Sequence, residues 1–227
     1  MANQRSISAF DVIGPVMVGP SSSHTAGAVR LGQIGRSMLG TTPQKAIIGL
    51  HGSFASTGSG HGTDKAIVAG LLGLSTSDER IRTSFSLAQQ AGMRVEFQEI
   101  NLGEEAHPNT ARLTLTSHEL MIRLTGSSIG GGMVEVTELQ GYPVRFTAEL
   151  NTLVIIADDQ PGTINAVSGW LAAHQINIAY LRVKRDQRGG DAIMIIETDQ
   201  LVPSSVVDSM KNLPWAHWVR QIPRLSE

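Results

Sequence analysis

The sequence predicts an α+β protein in two parts, a mixed α/β N-terminal domain over 1–140 and a βαββαβ domain over 149–227. Three observations carry this. Hydrophobic residues make up 41% of 227 positions and charged residues 17%, against roughly 25% charged in an average globular chain, so a packed core is expected and disorder is not. Segments of helical and strand periodicity follow one another along the chain. The texture changes near Gly141-Tyr142-Pro143, where a linker is placed at 141–148.

In order, 26–39 reads as a helix with Val29, Ile34 and Met38 as apolar positions. The segment 46–54 opens with Ala46, Ile47 and Ile48 and reads as a buried strand entering a glycine-rich turn. A helix follows over 63–74 with Thr63 or Asp64 as its cap, and another over 77–91 stopped by Gly92. Val95, Phe97 and Ile100 mark a strand over 93–100. Strands at 113–116, 120–124 and 133–139 complete the first domain, with Gly130-Gly131-Gly132 between the last two. Strand order cannot be read from this pattern. In the second domain, a strand over 151–157 reaches the turn Asp159-Gln160-Pro161-Gly162. An amphipathic helix over 163–174 follows, with Ile164, Val167 and Leu171 on one face. Then come a strand over 176–185, a hairpin turn at 188–190, a strand over 192–198, a helix over 203–212 and a strand over 215–222. This is the split βαβ, ferredoxin-like plan.

Composition excludes several functions. The net charge of −2 gives no electrostatic basis for binding nucleic acid or an anionic membrane. Cysteine is absent, which removes disulfides, a thiol nucleophile, a thiolate zinc site and a self-contained iron–sulfur cluster. No apolar run approaches the roughly 18 residues of a membrane span, and the first residues lack a signal peptide's pattern. A cytoplasmic protein is expected.

Two segments concentrate chemistry. Ser21-Ser22-Ser23-His24-Thr25 precedes the first helix. Hydroxyls there cap free N–H groups, and the same N–H groups with the helix dipole bind a carboxylate. His24 is suited to moving a proton near neutral pH. The plainer alternative is an N-cap beside a solvated histidine. The second segment runs from His51-Gly52-Ser53-Phe54 through Thr57-Gly58-Ser59-Gly60-His61-Gly62-Thr63-Asp64. It is neither a phosphate-binding P-loop nor a dinucleotide fingerprint. Gly58 and Gly60 let backbone approach a ligand, or they make a tight strand-to-helix turn. His24, His51 and His61 invite a metal, but Asp64 is the single nearby carboxylate and no metal is expected. Neighbouring Ser23 and His24 make a poor nucleophilic pair. In the second domain, the Asp159–Gly162 turn and Asn177 are candidates to hold a small amino acid; a dimerisation domain is the alternative.

These motifs carry a resemblance. The first domain is similar to the β subunit of the iron–sulfur-dependent bacterial L-serine dehydratases. Phe10-Asp11-Val12-Ile13-Gly14-Pro15, the Ser21–Thr25 run with Gly19-Pro20, the Gly52–Asp64 segment, His107-Pro108-Asn109-Thr110 and Ser128-Ile129-Gly130-Gly131-Gly132 occur in family order. Ala26 and Ala28, around Gly27, depart mildly from the family pattern. The second domain resembles an ACT domain, and the first also resembles the allosteric substrate-binding domain of some phosphoglycerate dehydrogenases. The resemblance implies conversion of L-serine to pyruvate and ammonia, an amino-acid degradation able to feed gluconeogenesis, without pyridoxal phosphate. It implies a 4Fe-4S cluster ligated by a separate α subunit and not by this chain. On the chemistry of the two segments, Ser23, His24, Thr25 and His61 are expected to serve catalysis and Ser21, Ser22, Gly58, Gly60 and Asp64 to bind substrate, while the ACT resemblance implies that Asp159, Gly162 and Asn177 bind an effector. The expected partners are the α subunit and a second copy paired through ACT domains. The competing reading is a non-catalytic ACT-type sensor of serine or another small acid.

Overall fold

A computed structural model describes residues 16–118 and 120–225. The Phe10–Pro15 motif lies outside them. Compactness divides the chain between Thr137 and Glu138.

The first unit opens with a π-helical turn, Ser22–Gly27, that runs into α1, Ala28–Leu39. The helix therefore begins earlier than the sequence predicts, because Ser21 caps it: its hydroxyl accepts from the His24 N–H at 3.2 Å. β1, Lys45–His51, leads into α2, Ser53–His61, and α3, Thr63–Leu71. The glycine-rich stretch expected as a turn is thus mostly helix. One glycine, Gly52, makes the whole reversal, with φ 57° and ψ −124°, a combination closed to residues with a Cβ. Gly62 ends α2 and caps α3 with φ 73°. Neither Thr63 nor Asp64 caps α3; Asp64 instead accepts from the Lys65 N–H at 2.7 Å.

The predicted helix over 77–91 is a 3-10 turn, Glu79–Thr83, followed by a short α4, Ser84–Gln90. Asp78 accounts for the break, since its carboxylate accepts from the Arg80 N–H and starts the 3-10 turn. Gly92, φ 71°, follows α4 as expected. β2, Arg94–Glu99, pairs parallel to β1 at one edge. β3, Thr110–Ser117, and β4, Leu120–Gly130, are longer than predicted. Their extra residues are mostly Thr, Ser and Gly, which hide strand character from an apolar count. β5, Met133–Leu139, crosses the division and β6, Tyr142–Phe146, follows it; the strands form one sheet in the order β2-β1-β3-β4-β5-β6.

The stretch read as a linker therefore holds a strand. Gln140 and Gly141 have φ 52° and 84°, the two positive values of a tight hairpin, and Val144 and Phe146 are buried. Among the helices, α1 packs on β3 and β4, and α3 packs on α1. Leu31, Ile34 and Met38 of α1 meet a core that includes Ile67, Leu71, Leu113, Leu115, Ile122 and Leu124, all fully buried.

In the second unit, β7, Asn151–Asp158, α5, Thr163–Ala173, β8, Ile178–Arg185, β9, Asp191–Thr198, α6, Ser204–Lys211, and β10, Ala216–Ile222, follow the predicted order. Their sheet runs β10-β7-β9-β8, all antiparallel. Leu153, Ile155, Met194, Ile196 and Val219 from the sheet pack against Val167 and Leu171 of α5 and Val206 and Met210 of α6.

Candidate active site

His24 is the centre of the candidate site. It sits on the π-helical turn, half-buried, between the start of α1 and the start of α2. Its Nε2 lies 3.1 Å from Ser53 Oγ and 3.1 Å from Thr57 Oγ1. Its Nδ1 faces Ser21 Oγ at 3.5 Å. The His61 ring stands 5.1 Å away, centroid to centroid, and Phe54 packs edge-on at 5.3 Å. Burial, and then the neighbouring His61, push the His24 pKa below its ordinary 6.5; a hydrogen bond with the Ser53 backbone opposes them. Burial and His61 both favour the neutral imidazole.

The elbow at Gly52 is what brings α2 to His24. It directs Ser53 to the first helical position, so Ser53, Thr57 and His61 fall at intervals of four and share one face. A Cβ on Gly52 would meet the Pro108 backbone at 2.7 Å. The Phe54 N–H donates to the Pro108 carbonyl at 3.3 Å, and the Ser128 N–H to the Asn109 carbonyl at 2.9 Å. Thr110 Oγ1 lies 2.7 Å from Ser127 Oγ. Ser128 is fully buried against Gly27 of the π-helical turn, where any Cβ would collide with it. Four of the sequence motifs are thus joined around one histidine, through backbone bonds that the sequence does not display.

The remaining predicted residues fall as follows. Ser22 and Ser23 occupy the first turn beside His24, half-buried; their N–H groups have no intrahelical carbonyl to meet. Thr25 is buried against Gly19, and among the described residues its hydroxyl has no hydrogen-bond partner. Gly58 is a buried helical glycine facing Leu50 and Thr63, whereas Gly60 borders open space. His61 ends α2, exposed. Asp64 opens α3 one turn further on. His51 belongs elsewhere: its Nδ1 lies 3.3 Å from the Leu102 N–H. Ser53 and Thr57 were not singled out from sequence, although their spacing with His61 is the signal that would have marked them.

In the second unit, Asp159 pairs with Arg185 at 3.3 Å and accepts from the Gly189 N–H. Gly162 caps α5 with φ 96°. Asn177 Nδ2 donates to Asp199 at 2.8 Å. Among the described residues, the ligand-type atoms that converge are those of Asp158, Asp191 and His217, all in the second unit, where His217 Nε2 lies 2.8 Å from Asp158 Oδ1 and 3.5 Å from Asp191 Oδ1.

Residues 8–139 match the serine dehydratase beta chain model and residues 151–214 the ACT domain model. The chain is 44% identical over 207 residues to the probable L-serine dehydratase beta chain of Bacillus subtilis, covering 91% of this chain and 94% of that one. It is 39% identical to the L-serine dehydratase beta chain of Peptoniphilus asaccharolyticus, covering 88% and 90%. It is also 33% identical over 116 residues to a D-3-phosphoglycerate dehydrogenase of Methanocaldococcus jannaschii, covering 51% and 22%.

Proposed function

This chain belongs to the serine dehydratase beta-chain family, and we infer that it is the beta subunit of an L-serine dehydratase, a lyase that yields pyruvate and ammonia. A beta chain has an alpha partner, and the site carries the signs of being shared. Its donors are imidazoles, hydroxyls and backbone amides, with no thiolate anywhere in the sequence. That set does not fit an iron–sulfur cluster, whose irons take cysteine. We propose that the 4Fe-4S cluster that the resemblance implies, which would supply a Lewis acid toward the serine hydroxyl, is held by the alpha subunit.

The observation that carries the reading is His24, held among Ser21, Ser53 and Thr57 with His61 beside it. Elimination of water from serine removes a proton from the carbon next to the carboxylate. The open N–H groups of Ser22 and Ser23 at the helix start suit that carboxylate. A neutral imidazole suits the proton, and His24 and His61 together offer one to take it and one to orient the substrate. Loss of water leaves an enamine, which hydrolyses to pyruvate and ammonia. The C-terminal domain, with the Gly162 turn and the exposed Asn177, is proposed to carry regulation by a small acid. It also pairs two copies through the free edge of its sheet. The sensor-only reading is not favoured, since similarity to beta chains extends over most of the chain.

The test is reconstitution. The chain alone should be colourless and inactive, and should gain serine-to-pyruvate activity with a cysteine-bearing partner. In that complex His24→Ala should cost about 10²–10⁴-fold in turnover with cluster content unchanged. If His61→Ala alone abolishes turnover, the proton belongs to the second histidine. If neither matters, this subunit is a scaffold.

A further inference from the structure

The bonds around Thr57 fix more than a position. Thr57 Oγ1 lies 2.7 Å from the Ser53 carbonyl. A carbonyl only accepts, so the one hydroxyl proton of Thr57 is committed to it. What Thr57 Oγ1 can offer His24 Nε2, at 3.1 Å, is a lone pair. His24 must then bear its hydrogen on Nε2 and leave Nδ1 unprotonated. The backbone of Thr57 acts on the second ring: its carbonyl lies 3.3 Å from His61 Nδ1. That contact is a hydrogen bond only when His61 carries its hydrogen on Nδ1, which leaves Nε2 as the basic atom.

We propose that Thr57 is a positioning residue that sets opposite tautomers on the two site histidines, His24 as the Nε2–H form through its hydroxyl and His61 as the Nδ1–H form through its carbonyl. Thr57 itself touches no substrate in this scheme. Its two bonds present the His24 Nδ1 and His61 Nε2 lone pairs, one from the half-buried ring and one from the exposed ring. In the other His24 tautomer, Ser53 would donate to Nε2, but the Thr57 lone pair would face the Nε2 lone pair at hydrogen-bond distance. The committed Thr57 proton favours the Nε2–H form, beside whatever the ring's bond to the Ser53 backbone contributes. The carbonyl contribution is retained in any side-chain variant, so substitution of Thr57 acts on His24 and leaves His61 as an internal control.

The inference deepens the dehydratase reading, on which its catalytic consequence rests, but the tautomers are measurable without it. Long-range proton–nitrogen spectra of the imidazole rings, recorded on the full chain at neutral pH, should show His24 protonated on Nε2 and His61 on Nδ1. Thr57→Val keeps the shape and removes the acceptor; the His24 signal should shift to the Nδ1–H form or to a mixture while that of His61 stays. Thr57→Ser should restore the wild-type pattern, and Ser53→Ala should leave it in place. In the complex with its partner, Thr57→Val should lower kcat by about 10- to 100-fold, part of the usual acid–base contribution, with KM within about twofold and Thr57→Ser recovering most of the loss. His24 found as the Nδ1–H form in the wild-type chain, or unmoved in Thr57→Val, overturns the proposal. Correct tautomers in a complex without serine turnover would leave the positioning intact and remove the dehydratase reading instead.

Discussion

At the scale of single residues, burial acts on the titration of His24. Its pKa lies below the ordinary 6.5 because burial and His61 both disfavour the charged ring. A group whose folded pKa is depressed binds fewer protons folded than unfolded. Stability then rises with pH across the window between the two values. The His24 contribution is complete above pH 6.5 and is lost as pH falls through its folded pKa. Urea unfolding of the full chain should therefore show stability declining below about pH 6.5, and the decline should be shallower in His24→Ala. An unchanged slope in the variant would assign the acid sensitivity to other groups. Single residues were only partly legible in the sequence. Ser21 and His24 stood out because hydroxyls and a histidine gathered before a helix. Ser53 and Thr57 did not, because Gly58, Gly60 and Gly62 argued for a loop, and in a loop the four-residue spacing has no meaning. Thr25 was read by type alone, and type does not reveal that Gly19 covers it.

Elements were more legible than their ends. Ile47 and Ile48 announce β1, and Val29, Ile34 and Met38 announce α1, since burial on one face imposes a period. Boundaries failed where polar residues are buried. Thr110, Ser127 and Ser128 are at most 5% exposed within β3 and β4, and their hydroxyl and backbone bonds replace the apolar signal. The contact between α1 and α3 was illegible because it depends on two glycines distant in sequence. A Cβ on Gly32 would lie 2.9 Å from Gly70 Cα, and a Cβ on Gly70 would lie 2.9 Å from Gly32 Cα and would collide with the Val29 carbonyl. The obstacles are backbone atoms, which cannot rotate away. Gly70→Ala gains helix propensity of up to about 1 kcal/mol and loses about 1–3 kcal/mol or more to overpacking. The net expectation is destabilisation, read as a lower urea midpoint at unchanged slope. A variant as stable as wild type would mean that the two helices separate at little cost.

At the scale of the whole molecule, the two-part organisation was visible as a change of rhythm, while strand order in the first unit was not. The six-stranded sheet joins one parallel pair to a run of neighbours, and nothing in local periodicity reports which strand lies next to which. In the second unit the order of elements alone gave the topology, and it leaves β8 at an edge with only β9 beside it. No residue of β8 is buried, and Tyr180, Leu181 and Val183 are 40%, 37% and 38% exposed. An uncovered strand with apolar side chains and a free row of backbone groups is a template for pairing. It is the surface through which the proposed association of two C-terminal domains runs. Lysine on such an edge opposes pairing, because a second copy would bring like charges together. The double variant Leu181→Lys, Val183→Lys should therefore scatter light as a single chain where the wild type scatters as two. Its unfolding midpoint at low protein concentration should stay near that of the wild type, since neither side chain contributes to the buried core. A double variant that remains dimeric would move the contact away from β8, and a wild-type chain that is monomeric alone would make pairing a property of the complex with the alpha subunit.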